Sequence, residues 1–371
     1  MKLAIFCNTP YQLFVASCYV AGHCKNGDTC DLYVDIDNSK QNKELADALA
    51  EQKAFSRIYI LRRIASKQNT IKRNISKVRS YLQPRWMFTE SVEGGKIPSE
   101  DAYDAVLISH FGAMALWFVY SFPKAKIYFY EDGLGSYLRE QRNIMTSSVD
   151  RFFQKLTGRG AEKIEPEKLL LFCPDFYEGR YKNCTEKIPN TYDNADAERL
   201  VSNIFVQNDT AEYSQYPFIY LGQPSDDHDN ERKQKTIECE KQMVGCIEKT
   251  IGKDILVRPH PRQDAKFYEP LKTDTKGSSW ETSCVARLTE KSVLIGRYST
   301  AQFTPKLLCG KEPVLIFTNS LYPPEDEEKR KNIEELISRI KRIYNDKEKV
   351  ICPQSMDEFE RILMDLREKA V

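Results

Sequence analysis

Short apolar runs alternate with amphipathic stretches over the first 130 residues, the pattern of strands that feed helices. Residues 3–7 (Leu-Ala-Ile-Phe-Cys) form an unbroken apolar run, as expected of a strand buried on both faces. The turn Asn8-Thr9-Pro10 follows, with Thr9 placed to cap a helix and Pro10 at its first position. Helical spacing then runs over 11–20. Further strands are predicted at 31–36, 57–61, 105–109 and 126–130, with helices at 43–54, 70–82 and 113–120. This alternation predicts a parallel sheet covered by helices on both faces.

The pattern fades between 158 and 215, a stretch rich in Pro, Asn, Asp and Tyr. A domain junction is placed near its end, dividing the chain into lobes 1–212 and 213–371. A second cycle follows, with strands at 217–221, 254–257, 292–296 and 312–317. Helices are expected at 230–250, from 299 onward, at 327–344 and at 356–369. There is no short-period repeat and no low-complexity tract.

The length of 371 residues supports the two-domain reading, since one core rarely grows so large. The net charge of +1 argues against a general polyanion binder, but the charge is uneven. From 57 to 85 the chain carries many Lys and Arg and no Asp or Glu. Few aromatics interleave with them, so peripheral contact with anionic lipid headgroups is expected rather than nucleic-acid binding. Eleven cysteines, an odd number, lie at scattered spacings without a close zinc or redox pair. That composition fits reduced thiols in a cytoplasmic protein. No stretch reaches the roughly 18 apolar residues of a membrane helix. A soluble protein, or one peripheral at the inner membrane face, is expected.

Four strand ends carry candidate chemistry, because ligands of open α/β folds bind at the carboxyl edge of the sheet. The first is Arg258-Pro-His-Pro-Arg262. Its prolines stiffen the loop and push Arg258 and His260 toward extended backbone. The segment thus reads as one imidazole between two guanidiniums, a grouping suited to phosphate. Structural hydrogen bonding of a loop histidine is the bland alternative. The second is the Ser299-Thr300 turn within Arg297-Tyr-Ser-Thr-Ala-Gln302, which is expected to open a helix and offer N–H groups and hydroxyls to an anion. The third is Leu221-Gly-Gln-Pro-Ser-Asp-Asp227, where an Asp can act as a base or simply cap the next helix. The fourth is Tyr130-Glu-Asp-Gly-Leu-Gly135, where Glu131 and Asp132 can bind sugar hydroxyls, act as base, or shape the turn.

Two other patterns point away from this chemistry. Asp35-Ile-Asp37 has the spacing of metal-dependent sugar transferases, but a metal site needs more ligands than it shows. The first turn, Cys-Asn-Thr-Pro-Tyr-Gln, lacks the glycines of a dinucleotide site.

The ordered set CNTPYQ, EDGLG, LGQPSDD, RPHPRQ and YSTAQ resembles the bacterial family-52 glycosyltransferases, known as lipooligosaccharide sialyltransferases. Similar HP and acidic-Gly motifs occur in bacterial polysialyltransferases, a looser relationship. The resemblance implies a GT-B type fold, with two Rossmann-like lobes and a central cleft. It implies inverting, metal-independent transfer from CMP-sialic acid, without a cofactor, to a hydroxyl, usually of galactose, in a surface glycan such as lipooligosaccharide or capsule. On the matching positions, His260 is the general acid and Asp226 or Asp227 the base. The family pattern has Asp directly after the proline, where this chain has Ser225, so the choice between them stays open, with Asp132 a third candidate. Gly222, Gln223, Arg262, Trp280, Glu281, Ser299 and Thr300 fall on the nucleotide-sugar side. Thr9, Tyr11, Gln12, Glu131 and Asp132 fall on the acceptor side. A homodimer is expected. A UDP-hexose donor, or a nucleotide- or glycan-binding protein without turnover, are the competing readings.

Overall fold

The computed structural model describes residues 1–24, 27–63, 79, 81–138, 155–159, 161–206, 213–223, 230–260, 263–274, 279–324 and 326–370. The chain divides into two compact units, Met1–Gln207 and Asn208–Val371. The junction expected at 212/213, most of the helix expected at 70–82, and much of the basic stretch lie outside the described residues.

The first unit is built on a seven-stranded parallel sheet. Its strands are β1 (Lys2–Cys7), β2 (Thr29–Asp35), β3 (Arg57–Leu61), β4 (Ala105–Ile108), β5 (Lys126–Tyr130), β6 (Lys168–Leu171) and β7 (Thr185–Lys187). Their spatial order is β3-β2-β1-β4-β5-β6-β7. The helices α1 (Pro10–His23), α2 (Gln41–Glu51), α3 (Pro84–Ser91), α4 (Ala113–Ser121), α5 (Gly135–Leu138) and α6 (Ala195–Val201) accompany it. The apolar runs of β1 and β4 are buried nearly throughout, as a strand covered on both faces requires. Helix α4 is apolar almost all round, and its Phe118 contacts Phe6 of β1 and Phe88 of α3. The strands β6 and β7 and helix α6 fall in the stretch that lacked a sequence pattern. They are short, and the buried Leu run of β6 is set in a stretch rich in turn and polar residues, so no periodic pattern stands out over a window.

The second unit holds a five-stranded parallel sheet of order β12-β11-β10-β8-β9. The strands are β8 (Phe218–Leu221), β9 (Ile255–Arg258), β10 (Val293–Gly296), β11 (Val314–Phe317) and β12 (Val350–Ile351). The helices are α7 (Asn230–Thr250), α8 (Trp280–Ala286), α9 (Thr304–Cys309), α10 (Glu327–Ile343) and α11 (Met356–Ala370). Met243, Val244 and Ile247 of α7 and Phe359 and Leu363 of α11 close one core with Phe218, Tyr220, Val257 and Ile295 of the sheet. Helix α10 starts at an Asp326 cap with Glu327 and Glu328 in its first turn and ends on Lys341 and Arg342, matching charge to its dipole. The helix expected from Ser299 is instead a three-residue 3-10 turn, Thr300–Gln302, with α9 beginning at Thr304. Pro305 explains the later start, since proline is favoured in the first turn of a helix and disfavoured inside one.

Each sheet reverses its winding once. In the first unit β1 has β2 on one side and β4 on the other; in the second, β8 has β9 on one side and β10 on the other. Such switch points leave a crevice beyond the carboxyl ends of the central strands. The loops after β1 and β4, and after β8 and β10, therefore define where each unit can hold a ligand.

Candidate active site

At the first switch point, Thr9 caps α1 by accepting the Gln12 N–H at 3.2 Å, while Gln12 Oε1 accepts the Asn8 N–H at 2.7 Å. The arrangement is a variant of the capping box. It fixes Gln12, which is 1% exposed, so that its Nε2 donates to Asp132 Oδ1 at 3.0 Å. Next to it, the Tyr11 hydroxyl donates to Glu131 Oε1 at 2.8 Å. The structure thus draws Thr9, Tyr11, Gln12, Glu131 and Asp132 into one network linking the loops after β1 and β5.

The two acids of the EDG turn have different environments. Glu131 is buried, with Oε1 held by Tyr11 and Oε2 by the Tyr137 hydroxyl and the Phe172 backbone N–H. Burial pushes its carboxyl up to about 7, although those three donors favour the ionised form. Asp132 is exposed, and Gln12 orients one of its oxygens. Gly133 takes φ 77, which lets the loop turn back so that the Ser136 N–H reaches the Gly133 carbonyl.

His110 stands two residues beyond β4, outside the four motifs that the sequence singles out. Its Nε2 lies 3.0 Å from Asn8 Nδ2, and its Nδ1 lies 3.2 Å from Ser109 Oγ. Asn8 and His110 therefore bridge the switch point. Burial lowers the imidazole's pKa, and the carboxylates of Asp132 and Asp35 partly restore it. The available signal was position: a histidine immediately after a central strand.

Asp35 and Asp37 are engaged locally. Asp35 Oδ1 accepts the Asp37 N–H at 3.0 Å and Asp37 Oδ2 accepts the Arg63 N–H at 2.6 Å. Among the described residues no group of three or more His, Cys, Asp or Glu side chains is arranged to hold a metal ion.

At the second switch point, Gln223 Oε1 accepts the Tyr298 N–H at 3.3 Å, across from β8 to the loop after β10. Gly222 donates its N–H to the Arg258 carbonyl at 2.9 Å. A Cβ at Gly222 would come within 2.3 Å of Tyr268 Oη, so only glycine fits. His260 is half-buried beyond β9; Gln263 Oε1 accepts its backbone N–H at 3.3 Å and its carbonyl accepts the Gln263 N–H at 2.8 Å.

Arg258 does not flank His260 as a phosphate fork, contrary to the expectation from RPHPR. Its Nη1 donates to the Tyr213 hydroxyl at 2.6 Å and to Asp274 at 3.2 Å, and its guanidinium lies 5.6 Å from the Trp280 ring. The reason is a buried carboxylate: Asp274 needs a cation, and Arg258 supplies one. Burial opposes the Arg258 charge, but Tyr213, Asp274 and Glu281 outweigh it and raise its pKa. Trp280 is 6% exposed and edge-on to Tyr213, and its Nε1 donates to the Ala301 carbonyl at 2.7 Å. It pins the turn that carries Ser299 and Thr300. Ser299 makes no side-chain capping bond and Thr300 is exposed. Burial raises the Glu281 pKa, with the nearby Arg258 opposing the shift. Asp226, Asp227 and Arg262 lie outside the described residues.

Two parallel α/β units, each with a switch point at the carboxyl edge of its sheet, make up a GT-B type fold. Solved structures agree in fold. The glycotransferase of kitacinnamycin matches with TM-score 0.51 and 11% identity over 99% of this chain and 90% of that one. The calicheamicin glycosyltransferase (TM-score 0.46, 10% identity, 100% and 95% covered) and a putative UDP-N-acetylglucosamine 2-epimerase from Listeria monocytogenes (0.46, 11%, 98% and 94%) also align. At these identities the likeness is one of fold alone. No curated protein sequence matches the chain. Residues 4–310 match the family model of the alpha-2,8-polysialyltransferases (POLYST), and the chain belongs to that family. This is the relationship that the HP and acidic-Gly motifs had indicated as the looser one.

Proposed function

We propose that the protein is an inverting sialyltransferase that moves sialic acid from CMP-sialic acid to a glycan hydroxyl. One observation carries the reading: in a chain of this family, His260 stands at the carboxyl edge of β9, beside the switch strand β8. The second unit holds the donor there, with Gly222, Gln223, Arg262, Trp280, Glu281, Ser299 and Thr300 around it. The first unit receives the acceptor at Thr9, Tyr11, Gln12, Glu131 and Asp132.

In the step itself, the acceptor oxygen forms a bond to the anomeric carbon as the bond from that carbon to the CMP phosphate breaks. A carboxylate takes the acceptor proton, and His260 gives a proton to the departing phosphate oxygen. Attack opposite the leaving group inverts the centre. Asp226 and Asp227 remain the base candidates by resemblance, and Asp132 is the described alternative because it is exposed. Glu131 has a pKa suited to a base, but its oxygens are occupied by Tyr11, Tyr137 and Phe172. The donor carries a single phosphate, so the reaction proceeds without a metal or other cofactor. The acceptor is a galactose or a sialic acid terminus of a bacterial surface glycan. The active form is a homodimer, with the basic stretch 57–85 against an anionic membrane surface; no helix among the described residues is long and apolar enough to cross a membrane.

The test is CMP release from CMP-sialic acid with galactose-terminated and α2,8-oligosialyl acceptors, with and without EDTA, alongside UDP-hexoses. Transfer from CMP-sialic acid that survives EDTA supports the reading, and UDP release alone overturns it. Asp226→Asn, Asp227→Asn, Asp132→Asn and His260→Ala assign the roles. The base variant and His260→Ala should each lose roughly a hundredfold in kcat.

A further inference from the structure

Behind the His260 turn lies a buried polar cluster that the transfer chemistry does not use. Glu240 of α7 is 4% exposed, and Tyr220 and Tyr268 are 1% and 0% exposed. Glu240 Oε1 lies 3.2 Å from Tyr220 Oη and 2.9 Å from Tyr268 Oη. Its Oε2 lies 3.4 Å from Gln263 Nε2. Tyr268 Oη is also 2.9 Å from Gln263 Oε1, the same atom that receives the His260 backbone N–H.

Counting hydrogens decides the state of this cluster. Tyr268 has one hydroxyl hydrogen and two oxygens at 2.9 Å, and it can donate to only one of them. If Glu240 is ionised, one of those contacts is oxygen against oxygen with no hydrogen between them. Reversing the Gln263 amide does not help, because it would set Nε2 against the His260 N–H and Oε1 against the carboxylate. A proton on Glu240 completes the set: Glu240 donates to Tyr268, Tyr268 to Gln263 Oε1, and Gln263 Nε2 to the second carboxyl oxygen.

We propose that Glu240 carries a proton in the active protein and that Glu240, Tyr268 and Gln263 are positioning residues for His260. The proposal rests on the reading that His260 acts in transfer. Through this chain the carboxyl of α7 holds the turn that presents the imidazole, and ionising Glu240 loosens that turn. The groups facing the cluster are Tyr220 from β8, Tyr268 from the Ala265–Tyr268 turn, Cys239 on α7, and Tyr322 after β11 with Arg297 4.4 Å from its ring. The Gln223 backbone N–H reaches the Glu240 carboxyl as well. Burial raises the Glu240 pKa, against the opposing pull of Tyr268, Tyr220 and Gln263. The carboxyl is therefore neutral below its raised pKa and ionises as pH rises through it.

Amide hydrogen exchange of the peptide that contains His260, followed across pH in the full-length protein and corrected for intrinsic rate, tests this without any activity. In the parent, protection should fall roughly tenfold on the alkaline side, the loss of about one net hydrogen bond. Glu240→Gln keeps a permanent donor, so its protection should not change with pH. The same pH dependence in both proteins, or no protection at any pH, overturns the proposal. In CMP-release assays, Glu240→Gln should stay within roughly threefold of the parent kcat and lose the alkaline limb, while Gln263→Ala should lower kcat roughly tenfold with little change in KM. Full kcat in Gln263→Ala overturns the positioning role. If His260→Ala keeps its activity while the exchange result holds, the transfer mechanism fails and the hydrogen-bonded chain stands.

Discussion

Gln223 and Tyr298 meet across the switch point of the second sheet, the Gln223 side-chain Oε1 accepting the Tyr298 backbone N–H at 3.3 Å. The bond ties the loop after β8 to the loop that carries Ser299 and Thr300. Gln223→Ala removes it. The expected cost is about 0.5–1.5 kcal/mol in denaturant unfolding, with a rise in donor KM larger than the fall in kcat. Unchanged donor KM would separate this bond from donor binding.

Gly222→Ala would drive a Cβ to 2.3 Å from Tyr268 Oη and 2.8 Å from Gln263 Oε1. Both atoms are ends of side chains tied by hydrogen bonds to Glu240 and to each other, so the cluster must shift. A loss of about 1–3 kcal/mol is expected, as for overpacking elsewhere, together with a fall in transfer. Equilibrium unfolding and CMP release measure the two effects.

Trp280→Phe keeps the buried ring but deletes the indole N–H that holds the Ala301 carbonyl at 2.7 Å. The carbonyl loses its partner, and about 1 kcal/mol of stability should go with it. The Ser299-Thr300 turn should then show faster amide exchange.

Glu131 sets a pH dependence of stability whose sign follows from its raised pKa of about 7 against an ordinary 4.5. Between those values the folded chain holds a proton that the unfolded chain has lost. Stability from this group is therefore complete below about pH 4.5 and is lost as pH rises through 7, by up to about 3 kcal/mol. Glu131→Gln is neutral at every pH. Its Tm should vary less than the parent's between pH 4.5 and 7.5, and equal slopes would contradict the burial argument.

His110 acts in the opposite sense. Its folded pKa is lowered, so its contribution is present above its unfolded pKa of 6.5 and is lost as pH falls through the folded value. His110→Gln should flatten the acid side of the Tm profile. If the acid limb is unchanged, His110 is not the group that titrates there.

The sequence by itself determined the alternation of strand and helix, the parallel character of both sheets and the strand ends where chemistry gathers. Those signals are local: a strand buried on both faces is a short apolar run, and a turn residue such as Thr9 caps its own helix. It also put the Asn-Thr-Pro and Glu-Asp-Gly turns at the ends of β1 and β5, because each follows a short apolar run directly. Only the tertiary structure decided which distant residues meet. Tyr11 and Glu131 are 120 positions apart and share a hydrogen bond because β1 and β5 lie in one sheet. The edge strands β7 and β12 were invisible because they are only three and two residues long and are held by a neighbour's backbone, and the buried Leu run of β6 was hidden in a polar stretch. Arg258 read as a phosphate ligand, and the buried Asp274 claimed it. The Glu240 cluster lay hidden for the same reason. A glutamate in a charged helix looks solvated until the fold buries it against Tyr220 and Tyr268, where an unpaired polar group is costly and every hydrogen must be placed.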